Sequence, residues 1–251
     1  MTPQRAAMIQ VVDVWRAFGD NQVLRGVNLT VEQGTTTVIL GGSGSGKSVL
    51  MKHMIGLLEP DRGEIIIDGE HIEKLGEREL QRVRQKFGMV FQAAALFDSM
   101  TVFENVAFPL RERTELGEAR IADIVHAKLA VVGLRDIDDR YPDQLSGGMR
   151  KRVGLARALA LEPKIVLYDE PTTGLDPITT DYVDEMILAA KAELGVTSVV
   201  ISHDIGSAFK IADRVAVLYE GLIVAEGPPA EVRESQQPFV RQLFALWNQK
   251  A

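Results

Sequence analysis

A glycine-rich segment, residues 41–48, has the residue types and the spacing needed to hold a phosphate. It reads Gly-Gly-Ser-Gly-Ser-Gly-Lys-Ser and fits the pattern G-x-x-x-x-G-K-[ST]. Glycines let consecutive backbone N–H groups turn toward an anion, and a helix that begins at Lys47 points the positive end of its dipole at the same phosphates. The alternative is a Gly/Ser turn with a surface lysine. We predict a nucleotide site that comprises Gly41, Gly42, Ser43, Gly44, Ser45, Gly46, Lys47, Ser48 and Val49.

A second motif ends in two neighbouring carboxylates. The apolar run 165–168, Ile-Val-Leu-Tyr, is followed directly by Asp169 and Glu170. An enzyme that hydrolyses a nucleotide needs acids at the end of a strand beside its phosphate site. Lys47 would reach the β- and γ-phosphates, Ser48 and Asp169 would hold Mg²⁺, and Glu170 would orient and deprotonate the attacking water. The alternative for Asp169 is a helix N-cap.

A third motif, residues 145–149, reads Leu-Ser-Gly-Gly-Met and precedes a helical pattern that extends to Leu161. Its chemistry is again anion binding, because the Ser146 hydroxyl, the amides of Gly147 and Gly148 and a helix N-terminus would all face a phosphate. The alternative is a turn that only caps the helix. The basic residues 150–152 that follow are predicted to form a solvated or phosphate-facing surface rather than a nucleic-acid site.

Hydrophobic patterns predict the elements that place these motifs. The last three predicted strands are near-continuous apolar runs, which is typical of parallel strands covered on both faces. From Thr101 to about Ala160 helical periodicity dominates instead, so a helix-rich segment is inserted into an α/β sheet. The predicted strands are 9–14, 23–31, 35–40, 64–68, 88–91, 165–168, 197–202 and 215–219, and the predicted helices include 47–58, 77–86 and an amphipathic tail from 228 to 251.

Bulk composition limits the possible classes. Of the 251 residues 46% are hydrophobic and 25% are charged, as in ordinary globular proteins. No cysteine is present, which excludes disulfides and thiolate metal sites. The sequence has no uncharged stretch long enough to span a bilayer and no signal-peptide pattern at its start, so we expect a cytoplasmic protein. A net charge of −7 argues against a nucleic-acid partner.

The order of the three motifs resembles that of the ATPases of ABC transporters, and the resemblance extends from about Ile9 to Gly227. It implies ATP and Mg²⁺ as cofactors. The implied fold is α/β, a P-loop NTPase (RecA-like) mixed sheet with an antiparallel β subdomain and an inserted α-helical subdomain. Within a single domain, 1–251, it implies a nucleotide-binding core at 1–92 and 161–227, a helical signature subdomain at 93–160 and a C-terminal helical tail at 228–251.

The resemblance also assigns roles outside these motifs. Gln92 matches the glutamine that touches Mg²⁺ and the attacking water, and His203 matches the histidine that contacts the γ-phosphate. Asp176 matches an aspartate that bridges the halves of a dimer, and Phe18 matches the aromatic residue that stacks on adenine. Plainer interpretations remain open: Gln92 as an exposed strand end, His203 as a helix cap and Phe18 as a core residue. Met149 departs from the family's usual glutamine.

One phosphate loop and one signature segment cannot meet within a single chain of this architecture. The resemblance therefore implies a head-to-tail dimer of two identical chains. Each ATP would lie between two sets of residues, Lys47, Ser48, Asp169, Glu170 and His203 of one copy and Ser146 and Gly148 of the other. The binding and loss of the γ-phosphate would close and open this interface.

The helical insertion is the expected docking surface for an integral membrane permease. Five of its residues are unusually apolar for an exposed loop, which suits a groove that accepts a partner helix. They are Leu96, Phe97, Met100, Val102 and Phe103. The alternative is that these side chains pack the core of the insertion itself.

Three short features are similar to the ATPase of Mla-type and other Mce-associated lipid-trafficking systems: Ala-Ala-Leu-Phe at 94–97, Phe-Pro-Leu-Arg-Glu at 108–112, and Met149. This similarity implies phospholipid trafficking across the bacterial cell envelope, which maintains lipid asymmetry, by a chain peripheral on the cytoplasmic face of the inner membrane. The implied partners are a permease, a periplasmic Mce-domain lipid-binding protein and, in some systems, a small STAS-type cytoplasmic subunit.

Other functions stay open at this point. An ABC importer for amino acids or another small solute uses a nearly identical ATPase. A soluble ABC ATPase without a permease would usually carry a second cassette or a coiled-coil insertion, which the sequence lacks. A P-loop kinase or GTPase has no use for a Ser-Gly-Gly helix, and the guanine-specific Asn-Lys-x-Asp motif is absent.

Overall fold

Two sheets form the frame of the molecule in the computed structural model, which describes residues 6–248. The strands are β1 (Ala7–Phe18), β2 (Asn21–Glu32), β3 (Thr36–Leu40), β4 (Arg62–Ile67), β5 (Glu70–His71), β6 (Phe87–Val90), β7 (Ile165–Asp169), β8 (Thr197–Ser202), β9 (Arg214–Tyr219) and β10 (Leu222–Gly227). The helices are α1 (Lys47–Met54), α2 (Glu77–Arg84), α3 (Val102–Arg113), α4 (Glu118–Val131), α5 (Gly147–Leu159), α6 (Pro177–Leu194), α7 (Ile205–Ile211), α8 (Pro229–Arg233) and α9 (Pro238–Asn248).

The larger sheet has the strand order β10-β9-β3-β8-β7-β6. Strands β9, β3, β8, β7 and β6 are parallel, and β10 joins the edge as an antiparallel strand. Every residue of β3 and β8 is buried, because these apolar strands are covered on both faces. The predicted parallel α/β sheet is therefore confirmed, whereas β10 was not predicted from its mixed pattern of polar and apolar residues.

The smaller sheet is antiparallel, with the order β2-β1-β4-β5. Strand β2 buries apolar residues at alternate or nearly alternate positions, so one face of this sheet belongs to a core. These residues are Leu24, Val27, Leu29 and Val31. Leu50 of α1 packs in the same core. The two sheets thus enclose the helix that follows the glycine-rich loop, and the implied antiparallel β subdomain is present.

The segment between β6 and β7 is helical, as its periodicity predicts, but it contains three separate α-helices and a short 3-10 helix. Helix α3 begins with a capping box in which the Thr101 hydroxyl accepts from the Glu104 N–H and the Glu104 carboxylate accepts from the Thr101 N–H. Val106, Val125 and Val153, one from each helix, are fully buried. This shared core holds α5, and with it residue 146, in place.

Several predicted helix ends were wrong. Helix α1 ends at Met54 rather than at 58, because Gly56 takes a left-handed φ of 64° and its N–H bonds to the His53 carbonyl. Helix α5 ends at Leu159 rather than at 161. The predicted continuous tail is instead two helices, α8 and α9, and its last residues, 249–251, lie outside the described residues.

Helix α9 packs against the larger sheet through aromatic contacts. Phe239 stacks on Tyr219 of β9 with ring centroids 3.8 Å apart, and Phe244 lies edge-on to Phe209 of α7. Between residues 6 and 248, no helix has both the length and the apolar composition needed to cross a membrane.

Candidate functional site

A cavity of about 850 Å³ lies where β3, β7 and β8 end. The carboxyl ends of parallel strands meet at one edge of a sheet, which is where ligands bind in such folds. Its lining comprises Asn21, Val23, Gly42, Ser43, Gly44, Ser45, Gly46, Lys47, Ser48, Val49, Gln92, Asp169, Glu170, Thr173 and His203. Most residues of the predicted nucleotide site are thus brought together here.

The loop that connects β3 to α1 forms a cradle of backbone groups. Helix α1 begins at Lys47, and no side chain caps its N-terminus, so its first N–H groups face the cavity without an intrahelical partner. Gly46 has a φ of 104°, and a Cβ at Gly42 or Gly44 would meet no atom within 4 Å. This open space beside unpaired N–H groups fits the phosphates of a nucleotide.

Lys47 is held in a fixed position at the base of this cradle. Its Nζ donates to the carbonyls of Gly41 (2.8 Å) and Gly42 (3.0 Å) and lies 3.8 Å from Glu170 Oε1. Burial lowers the pKa of Lys47, opposed by the charges of Glu170 and Asp169. Gly41 does not line the cavity. Only glycine fits at position 41, since a Cβ there would lie 2.4 Å from the Leu218 carbonyl oxygen.

The Glu170 carboxylate is fixed by two hydrogen bonds. The Thr173 hydroxyl donates to Glu170 Oε2 at 2.7 Å, and His203 Nδ1 lies 2.6 Å from the same oxygen. Glu170 also has a φ of 51°, a left-handed conformation that costs free energy for a residue with a side chain. Local strain of this kind is common at functional sites, and the Glu170 carboxylate lies 3.8 Å from Lys47 Nζ.

The structure distinguishes the two interpretations of His203. Asp204, the next residue, caps helix α7, because its Oδ1 accepts from the Ser207 N–H at 3.1 Å. His203 is therefore free of a capping role and points to Glu170 in the cavity.

Three oxygen-bearing side chains at the cavity match the preference of Mg²⁺ for hard oxygen ligands. Ser48 lies in the first turn of α1, Gln92 follows β6, and Asp169 ends β7. Burial raises the pKa of Asp169 and the nearby Glu170 carboxylate raises it further, whereas Lys47 opposes this shift. A site that disfavours the charged form of a carboxyl group in this way is well suited to receive a cation, which would offset the negative charge.

This shift predicts that Asp169→Asn makes the nucleotide-free chain more stable. A carboxyl whose pKa is higher in the native than in the unfolded state binds protons more tightly when folded. Its contribution to the free energy of unfolding therefore falls as the pH rises above the unfolded value of about 4. The melting temperature of the variant should exceed that of the native chain increasingly as the pH rises above about 4. A lower melting temperature for the variant at neutral pH would contradict the prediction.

Gln92 stands at the start of a loop that is held in an unusual conformation. Ala94 and Ala95 both have positive φ values, 62° and 48°. Arg157 of α5 donates to both of their carbonyls, at 2.9 and 2.8 Å, and its guanidinium lies over the Phe97 ring. The sequence analysis gave Arg157 no role, since nothing in a helical pattern indicates that one of its arginines clamps a distant loop.

Phe18 lies near the cavity but does not line it. It ends β1 at the hairpin to β2, is 46% exposed, and carries the Arg16 guanidinium 4.9 Å from the ring centroid. The alternative interpretation as a core residue is therefore wrong. Asn21 and Val23, on the other side of the hairpin, line the cavity. They were missed because neither residue type is diagnostic of nucleotide binding.

The signature residues lie in a different place. Ser146 and Gly148 line a second cavity of about 380 Å³, which shares no residue with the first. Ser146 caps α5, since its hydroxyl accepts from the Met149 N–H at 3.2 Å, and Gly147 is the first residue of that helix. Met149 lines the same cavity.

Asp176 likewise has a local role, because it caps α6. Its carboxylate accepts from the N–H and the hydroxyl of Thr179, and these hydrogen bonds lower the pKa of Asp176. A Cβ at Gly148 would lie 2.8 Å from the methyl carbon of the same threonine. Asp176 and the signature segment are therefore neighbours in one chain.

The expectation for the basic residues 150–152 was wrong for Lys151, whereas Arg152 lines the second cavity. Lys151 is only 8% exposed, and Arg150 and Arg152 each donate to backbone carbonyls of neighbouring segments. The helix turns Lys151 inward, toward the loop that follows Glu170. A run of three basic residues does not by itself show which of them lies on the buried face of a helix.

Comparison with known proteins identifies the family. A family model described as ABC transporter matches residues 24–173. The chain is 45% identical over 236 residues to the probable ribonucleotide transport ATP-binding protein mkl of Mycobacterium tuberculosis (strain H37Rv), covering 94% of this chain and 66% of that protein. It is 42% identical over 239 residues to the intermembrane phospholipid transport system ATP-binding protein MlaF of Escherichia coli (strain K12), covering 95% of this chain and 89% of that protein.

A solved structure gives the same result. The dimeric post-hydrolysis state of the ATP-binding cassette MJ0796, bound to ADP and Pi, has a TM-score of 0.79 and 33% identity, covering 88% of this chain and 99% of that chain. The cavity, the family match and the relatives agree, which also confirms the fold expected from the sequence. The chain belongs to the ABC transporter family, as one of its nucleotide-binding, ATP-hydrolysing subunits.

Proposed function

We propose that ATP is hydrolysed with Mg²⁺ at the first cavity and that Glu170 is the general base. Ser48, Gln92 and Asp169 would hold the ion, which when bound would neutralise charge on the β- and γ-phosphates. The Glu170 carboxylate accepts a proton from water, and its hydrogen bonds with Thr173 and His203, both at Oε2, fix the orientation of the carboxylate. Lys47, already aimed by the Gly41 and Gly42 carbonyls, would bind the phosphates.

We further propose that two copies of the chain complete each site. The first cavity holds the groups for binding and proton transfer, and the second holds the anion-binding start of α5. A head-to-tail dimer would place Ser146, Gly147 and Gly148 of one copy against the γ-phosphate held by the other. The dimeric state of MJ0796 supports this arrangement. Asp176 would lie at the same interface, and Phe18 would stack on the adenine.

For cargo, we propose phospholipid trafficking across the bacterial cell envelope. The observation that carries this proposal is the 42% identity with MlaF, which covers 89% of that protein, so that nearly the whole relative is matched. The mkl protein is 45% identical, but this chain spans only 66% of its length. Ribonucleotide transport, the function in the name of mkl, is therefore the second candidate.

An apolar groove supports the proposal of a membrane permease as partner. The groove has a volume of about 340 Å³ and lies between β6, α3 and α5. Phe91 and Phe97 are exposed at its rim, and Phe108 and Pro109 of α3 form one wall. Of the five apolar residues singled out in the sequence, Phe97 lines the groove, whereas Val102 is fully buried in the core. The chain would thus sit peripherally on the cytoplasmic face of the inner membrane.

Composition of the purified complex tests the cargo. The chain is isolated from its native membranes with Mg-ATP, and proteins and lipids that co-purify are identified by mass spectrometry. A permease with an Mce-domain protein and phospholipid is the expected result, and a small STAS-type subunit would add to it. A solute-binding protein with a different permease, or a nucleotide carrier, would contradict lipid trafficking and favour an importer. The absence of any membrane protein would favour a soluble ABC ATPase.

Phe97→Asp should break the attachment to the permease without breaking nucleotide binding. Its side chain is 42% exposed and lines the groove, so a charge there opposes the docking of an apolar helix. We expect recovery of the permease in the purification to fall about tenfold, a loss of 1.4 kcal/mol in binding. Leu116→Asp, which changes an exposed leucine outside the groove, is the control. Equal recovery of permease with both variants would contradict the assignment of the groove.

A further inference from the structure

A buried lysine in the signature helix contacts the loop that follows the proposed general base. Lys151 lies on α5, five residues after Ser146, and its side chain is buried. Its Nζ donates to the Pro171 carbonyl at 2.5 Å and to the Thr173 carbonyl at 3.2 Å. These contacts join two segments that are far apart in the sequence.

Within residues 6–248, no carboxylate forms a salt bridge with Lys151, whose Nζ is held by the Pro171 and Thr173 carbonyls. Burial lowers the pKa of Lys151. A buried ammonium held only by carbonyls is costly. Lys128, another buried lysine of the helical segment, is by contrast paired with Glu162 at 2.9 Å. Packing alone therefore gives no reason for an ammonium group at position 151.

Thr173 extends this contact to the cavity. Its carbonyl accepts from Lys151, and its hydroxyl donates to Glu170 Oε2 at 2.7 Å. Its N–H also lies 3.3 Å from the Glu170 carbonyl oxygen. A displacement of Thr173 would thus change the positions of both the backbone and the carboxylate of Glu170. The two hydrogen bonds of Lys151 fix this short loop to α5.

We propose that Lys151 is a positioning residue for Glu170 and acts through Thr173. Because α5 begins at the signature residues, Lys151 links the helix that receives the γ-phosphate of one ATP to the base that activates the water for hydrolysis of the other ATP. This link between the two sites rests on the proposed head-to-tail dimer. The hydrogen bonds that position Glu170 lie within one chain, so the positioning role does not depend on the dimer.

A double-mutant cycle with Lys151→Met and Thr173→Val tests the proposal. Methionine keeps the length of the side chain but cannot donate, and valine removes only the hydroxyl. We expect kcat to fall about 10- to 100-fold in each single variant, because a small misplacement of a catalytic group has effects of this size. The affinity for a non-hydrolysable ATP analogue should change less than about twofold. The double variant should be no slower than the slower single variant, since both changes break one pathway.

Further variants separate positioning from simple destabilisation. Lys151→Gln retains an amide that can donate to one carbonyl, so it should be faster than Lys151→Met, and it replaces Lys151→Met in the cycle if that variant is insoluble. Lys128→Met, the matched control, should keep the native kcat, because its partner Glu162 is 77% exposed and can be solvated.

Three results would overturn the proposal. They are an unchanged kcat in Lys151→Met and Lys151→Gln, multiplicative effects of the two positions on kcat, or a loss of analogue affinity as large as the loss of kcat. The measured quantity is kcat for ATP hydrolysis by the full chain, which does not depend on the transported molecule. A different cargo or permease would therefore refute the proposed transport function and leave this cycle unchanged.

Discussion

Glu170→Gln will bind ATP as the native chain does and will hydrolyse it at least about 100-fold more slowly, the contribution expected of a general base. Glutamine has nearly the shape of glutamate, and its amide oxygen can still accept from the Thr173 hydroxyl. It cannot accept a proton from water at neutral pH. Binding and closure should therefore persist while the chemical step stops, and two copies should remain joined around uncleaved ATP.

Steady-state ATPase rates and light scattering check both parts of this prediction. With Mg-ATP the variant should have twice the monomer mass, and with ADP it should be monomeric. Glu220→Gln is the matched control, because Glu220 also has a positive φ, 47°, but lies at the turn between β9 and β10. An ATPase rate of Glu170→Gln equal to that of the native chain would contradict the assignment of Glu170 as the general base.

Lys47→Met will remove most of the stabilisation of the chain by ATP while changing the stability of the nucleotide-free protein little. At an ATP concentration about 100 times Kd, binding adds about 2.7 kcal/mol to the free energy of unfolding, or about 5–10 °C in melting temperature for a chain of this size. The ammonium group supplies the positive charge at the base of the phosphate cradle, so most of this shift should disappear. Burial already lowers the pKa of Lys47, so removal of its charge is not costly to the free protein.

Thermal melts with and without Mg-ATP measure this effect. Lys52→Met provides the control, because Lys52 lies on the exposed side of the same helix, and its ATP-induced shift should equal that of the native chain. A normal shift in Lys47→Met would show that the nucleotide binds elsewhere. A collapse of the nucleotide-free protein would show instead that Lys47 is structural.

The central sheet and most of the cavity could be predicted because their signals are local. The run at 165–168 is wholly apolar and the run at 197–202 has three consecutive apolar residues at its centre, a pattern typical of buried parallel strands. The conformation of the glycine-rich loop is determined by its own residues, because its glycines allow the backbone to turn around an anion. Once these strands are parallel neighbours, the residues that follow them, Glu170 and His203, must meet at one edge.

Contacts made by single side chains across the fold could not be predicted. Lys151 and Arg157 are two basic residues in a helix of mixed composition, and only the tertiary structure shows that one holds the loop after Glu170 and the other the loop after Gln92. Strand β10 was missed because an edge strand exposed to solvent needs no apolar run.

Cross-linking between two copies tests the composite site most directly. The chain contains no cysteine, so Ser43→Cys and Met149→Cys in a Glu170→Gln background introduce the only thiols, one at each cavity. A short bifunctional thiol reagent with Mg-ATP should yield covalent dimers in which position 43 of one copy is joined to position 149 of the other, and ADP should abolish them. Neither single-cysteine chain should cross-link with itself. Dimers joined only between identical positions, or a chain that stays monomeric with Mg-ATP, would contradict a site shared between two copies.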